Sequence, residues 1–179
     1  MKISVFGSTL QAAVFAGLFA EIGHQVHWYP ASTSHQITER PIYQDRHVNQ
    51  LLDKQLTTGF LTLDQNFGNW VEQDVCLLSY NNSETAVAES LLQSFEQKNV
   101  IPKLMINGST FGLNGTNQLF KRMPHVMWAY LPDNIQEGNA LNSVLSLQKL
   151  IVGVQDERTS KMVMEVFRPL FPKKHQFLL

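Results

Sequence analysis

The chain has 179 residues, of which 44% are hydrophobic and 16% are charged, and its formal net charge is -1. This length is typical of one globular unit with a full core, and we expect residues 1–179 to form a single domain. The small charge gives no reason to expect a nucleic-acid partner or an anionic membrane surface, and no apolar run approaches the length of about 18 residues that a membrane span needs.

The first predicted element is a strand that leads into a glycine turn and then a helix. Lys2 to Phe6 has strand character and Gly7 follows it. After a short turn, an amphipathic helix is predicted, with apolar residues at Leu10, Val14, Phe15, Leu18, Phe19 and Ile22. A buried strand, a glycine turn and a helix form the first unit of a dinucleotide-binding fold, in which the helix N-terminus binds an anion.

The glycine pattern of this turn is incomplete. The sequence G-x-G-x-x-G/A reads Gly7-Ser8-Thr9-Leu10-Gln11-Ala12, so Thr9 replaces the second glycine and Ala12 stands where alanine is permitted. The β-branched side chain of Thr9 stands where the backbone should approach a pyrophosphate. Thr9 can instead cap the helix through its hydroxyl, which is the interpretation we favour. The candidate ligand-binding residues of the turn are Gly7, Ser8, Thr9, Leu10 and Ala12.

The remaining elements alternate between strands and helices. The predicted strands are Gln25 to Tyr29, Phe60 to Leu63, Asp74 to Tyr80, Ile101 to Asn107, His125 to Leu131, Leu150 to Val154 and an edge strand from Gln176 to Leu179. The predicted helices are Val48 to Leu56, a helix capped by Ser83 that runs to Gln97, Asn117 to Arg122, and Arg158 to Phe167. This alternation predicts an α/β fold: a Rossmann-like, doubly wound, mostly parallel sheet with helices on both faces.

The only cysteine, Cys76, lies in an apolar run that reads as a core strand. We predict that its thiol is buried and inert. A single cysteine cannot form an internal disulfide, which fits a reducing compartment. The N-terminal stretch is similar to a signal peptide in its apolar residues, but the glycine and polar residues at positions 7–11 interrupt it. We therefore predict a cytoplasmic protein.

Short segments along the chain carry a further pattern. They are Met1–Ser8, Ala20–Val26, Pro41–Gln44 with Leu51 and Leu52, Ser109 and Thr110 with Gly115 and Thr116, Pro132–Gly138 with Ala140, Lys149–Gly153, and Phe167–Leu170. Taken in order, they resemble the N-terminal domain of the UDP-glucose/GDP-mannose dehydrogenase family. The resemblance is collinear over essentially the whole chain, and it implies the same Rossmann-like fold.

The resemblance also implies a reaction and a set of matched positions. The family oxidises a sugar C6 alcohol twice to a carboxylate with two NAD, and its covalent cysteine and catalytic lysine lie in later domains, which we expect to be absent here. Thr110 matches a water-positioning threonine of the family, and Asp133 matches an acid/base glutamate. Glu137 matches a glutamate of the family's substrate loop directly. These three are the family-matched catalytic positions, but without the later domains we favour a solvated loop. Ser109 and Thr110 also join the cofactor-binding candidates.

The acidic residue that binds the adenosine ribose in the family matches Pro30, whose side chain cannot accept a hydrogen bond. A hydrogen bond to a charged group contributes about 1.5–3 kcal/mol. If Thr9 costs as much, the two changes together weaken NAD binding by on the order of a thousandfold. We therefore expect no cofactor, or NAD only weakly bound. NADP is no easier to bind, because no arginine closely follows Pro30.

No metal site is predicted, because the histidines lack metal-ligand spacing; they are His24, His27, His35, His47, His125 and His175.

The function we favour is a non-catalytic, degenerate relative of the nucleotide-sugar dehydrogenase cofactor domain, acting as a binding or regulatory module. A nucleotide or anion at the helix after Gly7 is the candidate ligand, and a protein partner or a homodimer is the candidate assembly. An exposed apolar patch at Trp70 or at residues 177–179 would favour such a partner. Two alternatives stay open: an NAD-binding component completed by a second chain, and a fragment of a longer gene product.

Overall fold

A seven-stranded sheet lies at the centre of the computed structural model, which describes residues 1–30, 40–64, 73–112, 114–172 and 177–178. The strands are β1 (Lys2–Phe6), β2 (Gln25–Tyr29), β3 (Leu61–Leu63), β4 (Val75–Leu78), β5 (Leu104–Asn107), β6 (Met127–Tyr130), β7 (Leu150–Ile151), β8 (Gly153–Val154) and β9 (Phe177–Leu178). The main sheet has the order β3-β2-β1-β4-β5-β6-β8, and only the β6–β8 pairing is antiparallel. Its first six positions have the strand order of a Rossmann fold.

Helices cover both faces of this sheet. They are α1 (Leu10–Glu21), α2 (Arg46–Thr58), α3 (Thr85–Gln97), α4 (Gly115–Arg122), α5 (Ala140–Leu145) and α6 (Glu157–Phe167). Residues of α1, α2, α5 and α6 share one apolar cluster, and residues of α3 and α4 share the other. The predicted α/β, doubly wound and mostly parallel architecture is therefore confirmed.

The central strands are apolar on both sides because each side faces a different cluster. In β4, Val75 and Leu77 belong to the first cluster, whereas Cys76 and Leu78 belong to the second. A strand that is covered on both faces reads as a continuous apolar run. The thiol of Cys76 is fully buried, as predicted, and burial raises its pKa well above the ordinary value, so the reactive thiolate is suppressed.

The first helix is not amphipathic, contrary to the sequence prediction. Every residue of α1 from Gln11 to Ala20 is buried. Small residues on α1 let its neighbours approach closely: a Cβ on Gly17 would lie 2.8 Å from the Leu51 side chain on α2. Because α2, α5 and α6 pack in the same cluster as α1, this helix has no solvent-facing side over most of its length.

Other parts of the sequence prediction also need correction. The predicted strand from Leu150 to Val154 is two strands, because β7 pairs with β9 in a separate two-stranded sheet while β8 pairs with β6. Ser83 is not a helix cap: α3 follows a 3₁₀ turn in which a Glu84 carboxylate oxygen accepts from Asn81 N at 2.8 Å. Helix α5 was not predicted at all. The predicted strands around β4, β5 and β6 also extend beyond the observed ones.

Part of the predicted apolar end is exposed at the small β7–β9 sheet. Ile151 and Leu178 are register partners there, and they are 47% and 53% exposed. Trp70 and Leu179 lie outside the described residues. Among the helices that the structure describes, none is long and apolar enough to cross a membrane.

Candidate functional site

The turn after β1 is held against the end of β4 by Gly7. Its backbone has φ +111°, a conformation that favours glycine. Gly7 N donates to Tyr29 O at 2.9 Å, and Gly7 O accepts from Trp28 Nε1 at 2.9 Å. A Cβ at this position would lie 1.9 Å from Ser79 O. The turn therefore has room only for a glycine.

Thr9 is the N-cap of α1, which confirms the structural role predicted for it. Its Oγ1 accepts from Ala12 N at 3.1 Å. The same oxygen lies 3.2 Å from Ser79 O and 2.5 Å from Ser79 Oγ, so its proton is directed to Ser79. The side chain that replaces the second glycine is thus fixed on both its donor and its acceptor side.

Ser79 also forms a hydrogen bond with Gln11 and so links Thr9 to it. Ser79 Oγ donates to Gln11 Oε1 at 2.9 Å, and Gln11 Nε2 donates to Leu131 O at 3.5 Å and Pro132 O at 3.4 Å. We call Thr9, Ser79 and Gln11 the polar chain. Ser79 and Gln11 are each 1% exposed, and a Cβ on Gly108 would lie 2.3 Å from Gln11 Oε1. The polar chain therefore joins α1 to the carboxyl ends of β4 and β6.

Sequence reasoning included Thr9 but missed Ser79 and Gln11. The only local signal was a glutamine in the otherwise apolar first turns of α1. Its partners lie 68 and 120 residues away in the chain, so no spacing rule could have joined them.

Tyr43 lies against the same turn. Its hydroxyl donates to Ser8 O at 2.9 Å, so the carbonyl of one predicted ligand-binding residue is already paired. Burial raises the pKa of Tyr43 although the nearby Arg40 charge opposes this, so the hydroxyl stays a donor at neutral pH. Leu10 is half-buried as the first residue of α1, and Ala12 is fully buried.

Asp45 caps two helices at once, a role that the sequence did not suggest. Its Oδ1 accepts from His47 N at 3.0 Å and Val48 N at 3.1 Å at the start of α2. Its Oδ2 accepts from Ala140 N at 2.8 Å at the start of α5. Burial alone would raise the pKa of Asp45, but the three backbone donors together lower it below the ordinary value.

We expect Asp45→Ala to lower the free energy of unfolding at pH 7 by about 2 kcal/mol, because it leaves three amides without their acceptor. The folded-state pKa lies below the unfolded value of about 3.9, so this stabilisation is fully present above that pH. It is lost as the pH falls through the folded pKa. Urea titrations from pH 2 to pH 7 measure both effects.

Asp156→Ala is the matched control for this prediction, because Asp156 caps a single helix, α6, where it accepts from Thr159 N at 2.7 Å. We expect it to cost less stability than Asp45→Ala. Equal losses in the two variants, or an unchanged acid dependence in Asp45→Ala, would contradict the double-cap assignment.

The other predicted site residues lie at the same edge of the sheet, but the fold uses them differently. Ser109 is buried, and its Oγ accepts from Tyr80 N at 2.9 Å. Thr110 is exposed, and its amide donates to Tyr80 O at 3.3 Å. Asp133 and Glu137 are exposed on the loop after β6, where the Asp133 carboxylate accepts from Ile135 N. Among the described contacts, no hydrogen bond joins Thr110, Asp133 and Glu137 to one another.

Pro30 directly follows β2 and is buried. Burial lowers the pKa of His24, whose Nε2 lies 3.3 Å from Val166 O. His27 is paired with Asp64 at 2.6 Å. In the part of the chain that the structure describes, no group of three or more His, Cys, Asp or Glu side chains could hold a metal ion. His35 and His175 lie outside that part.

Comparison with solved structures identifies the architecture, although no family model and no curated protein matches the sequence. A UDP-glucose dehydrogenase from Pyrobaculum islandicum matches with a TM-score of 0.79 and 20% identity. The match covers 94% of this chain and 44% of the dehydrogenase chain. A GDP-mannose dehydrogenase from Pseudomonas aeruginosa has a TM-score of 0.78 and 19% identity, with the same coverage. The chain shares its fold with the nucleotide-sugar dehydrogenases.

The shared fold spans less than half the length of those two dehydrogenases. A candidate F420-dependent NADP reductase from Arthrobacter sp. has a TM-score of 0.69 and 16% identity, and it is covered over 82% of its length. The two dehydrogenases confirm the predicted resemblance to the nucleotide-sugar dehydrogenases at the level of fold.

Proposed function

We propose that this protein is a binding module that keeps the fold of a nucleotide-sugar dehydrogenase cofactor domain without carrying out the oxidation. In this proposal the turn after β1 holds a phosphate-bearing ligand or another anion. A complete NAD molecule binds there only weakly.

The fixed position of Thr9 carries the proposal. A pyrophosphate that approaches the backbone at the second glycine position must displace the Thr9 side chain. That displacement would remove the cap from Ala12 N and the donor from Ser79. Leaving buried polar groups unpaired is costly, so the fold resists the movement that a dinucleotide requires.

The adenosine side of the site gives independent support. The residue matched to the family's ribose-binding acid is Pro30, and it is buried at the end of β2. Proline offers neither a side-chain acceptor nor a backbone N–H. A bound dinucleotide would have to hold its ribose hydroxyls through some other group.

A small anion needs neither of these contacts. The amides of Leu10 and Gln11 lie in the first turn of α1, where no carbonyl within the helix can accept from them. Together with the helix dipole, such amides attract a phosphate group.

Titration of ¹⁵N-labelled protein with inorganic phosphate, UDP-glucose and NAD tests this proposal. We expect the amide signals of residues 8–11 to shift with phosphate and UDP-glucose, and the signals of residues near Pro30 to stay unchanged with all three ligands. Shifts at both places with NAD at about 10 μM would contradict it, because a site weakened a thousandfold is nearly empty at that concentration.

One observation favours a second candidate function. The dehydrogenases that share this fold are more than twice as long as the shared part. The chain would then be an NAD-binding component of an oxidoreductase that a second chain completes. This candidate requires a copurifying chain that carries a reactive cysteine and restores NAD-dependent oxidation of a UDP-sugar. A copurifying chain without that activity would favour the binding module.

A further inference from the structure

The loop after β6 is held at both ends by side chains from other elements. At its start, Leu131 O and Pro132 O accept from Gln11 Nε2. At its end, Ala140 N donates to Asp45. Between these points most residues are exposed, including Asp133 and Glu137. The polar chain therefore ends on the loop that carries two of the family-matched positions.

The hydrogen bonds of the polar chain run in one direction. A hydroxyl has one proton to donate. Ser79 gives its proton to Gln11 Oε1, so in the 2.5 Å contact Thr9 is the donor to Ser79. Thr9 in turn accepts from Ala12 N at the start of α1. Linked hydrogen bonds polarise one another, so the loss of the Thr9 hydrogen bond weakens the bond from Ser79 to Gln11.

We infer that the polar chain couples the turn after β1 to the loop formed by residues 131–139. A ligand that displaces the Thr9 side chain, or a substitution that removes its hydroxyl, takes the Thr9 proton away from Ser79. Because Ser79 is 1% exposed, bulk solvent cannot replace that donor, and the Ser79–Gln11 contact must rearrange. The Gln11 amide then loosens its hold on Leu131 and Pro132. The coupling links the proposed ligand site to the loop, and it is present in the ligand-free protein.

Amide hydrogen exchange of the ligand-free protein, followed residue by residue by NMR, tests the coupling. Thr9→Val keeps the β-branched shape but removes the hydroxyl, and we expect Leu131 and residues 133–139 to exchange about tenfold faster. Thr9→Ser keeps the hydroxyl and is the matched control, with loop exchange close to that of the parent. Ser79→Ala interrupts the polar chain one step later and is used if Thr9→Val does not fold.

A double-mutant cycle with Gln11→Met separates coupling from general loosening. If Thr9 acts on the loop only through Gln11, adding Thr9→Val to Gln11→Met leaves loop exchange as it is in Gln11→Met alone. Additive effects of the two substitutions would overturn the inference. It would also be overturned if Thr9→Val speeds exchange in α1 but leaves residues 131–139 at the parent rate.

Discussion

Gly7→Ala is expected to lower the free energy of unfolding by about 3 kcal/mol or more, because its new Cβ would lie 1.9 Å from Ser79 O and 2.8 Å from Ser79 C. Neither the glycine nor this neighbour can move easily. Gly7 is fixed by bonds to Tyr29 O and Trp28 Nε1, and Ser79 N donates to Phe6 O. The melting temperature of a domain of this size should fall by roughly 6–12 °C, which a calorimetric scan measures.

Gly23→Ala is the matched control for this substitution. Gly23 also has a positive φ, +90°, but a Cβ there would meet nothing within 4 Å. It therefore carries the backbone strain without the collision, and we expect a loss of about 1 kcal/mol. A Gly7→Ala variant no less stable than Gly23→Ala would show that the turn does not press against the end of β4.

Thr9→Gly combined with Pro30→Asp is expected to tighten NAD binding by about a thousandfold. The first change frees the backbone that a pyrophosphate approaches, and the second returns an acceptor for the ribose hydroxyls. A glycine N-cap itself costs only a few tenths of a kcal/mol, and the loss of the Thr9 hydroxyl from buried Ser79 costs about 1–3 kcal/mol. Both losses together are smaller than the usual stability of a folded protein, about 5–15 kcal/mol, so the double variant should still fold. Isothermal titration calorimetry gives the dissociation constants of the parent and the variants.

Each single variant should contribute part of this gain, about thirtyfold, since the two positions act on different halves of the cofactor. Thr9→Ser with Pro30→Asn is the control pair, because serine keeps the capping hydroxyl and asparagine adds no charge. If the Thr9→Gly, Pro30→Asp variant bound NAD as weakly as the parent, these two residues would not be what limits the affinity.

The first unit of the fold was predictable because its signals are local. The strand Lys2–Phe6, the turn at Gly7 and the strand Gln25–Tyr29 are observed as predicted, and Thr9 caps α1. By contrast, the split of the run at residues 150–154 depends on which strands pair with it. The run is interrupted only by Gly153, and a glycine within a strand pattern does not by itself show that the pairing partner changes.

The contacts that organise the candidate site could not be predicted from the sequence, because they join residues that lie far apart in the chain. Gln11 is polar on a helix that packing buries on all sides, and its contacts are with Ser79 and the loop after β6. Asp45 reaches Ala140, which is 95 residues away. Parallel strands bring such positions to one edge of the sheet, but the sequence gives only the strands and not the side chains that meet there.

Calorimetric titration of the unmodified protein with NAD is the most direct test of the proposal that the dinucleotide site has been lost. We predict a dissociation constant of about 1 mM, close to the weakest affinity that calorimetry can measure. Thr9 and Pro30 together are expected to weaken a micromolar site by about a thousandfold. A dissociation constant of about 1 μM would contradict it, since NAD would then bind tightly despite the capped turn and the buried proline.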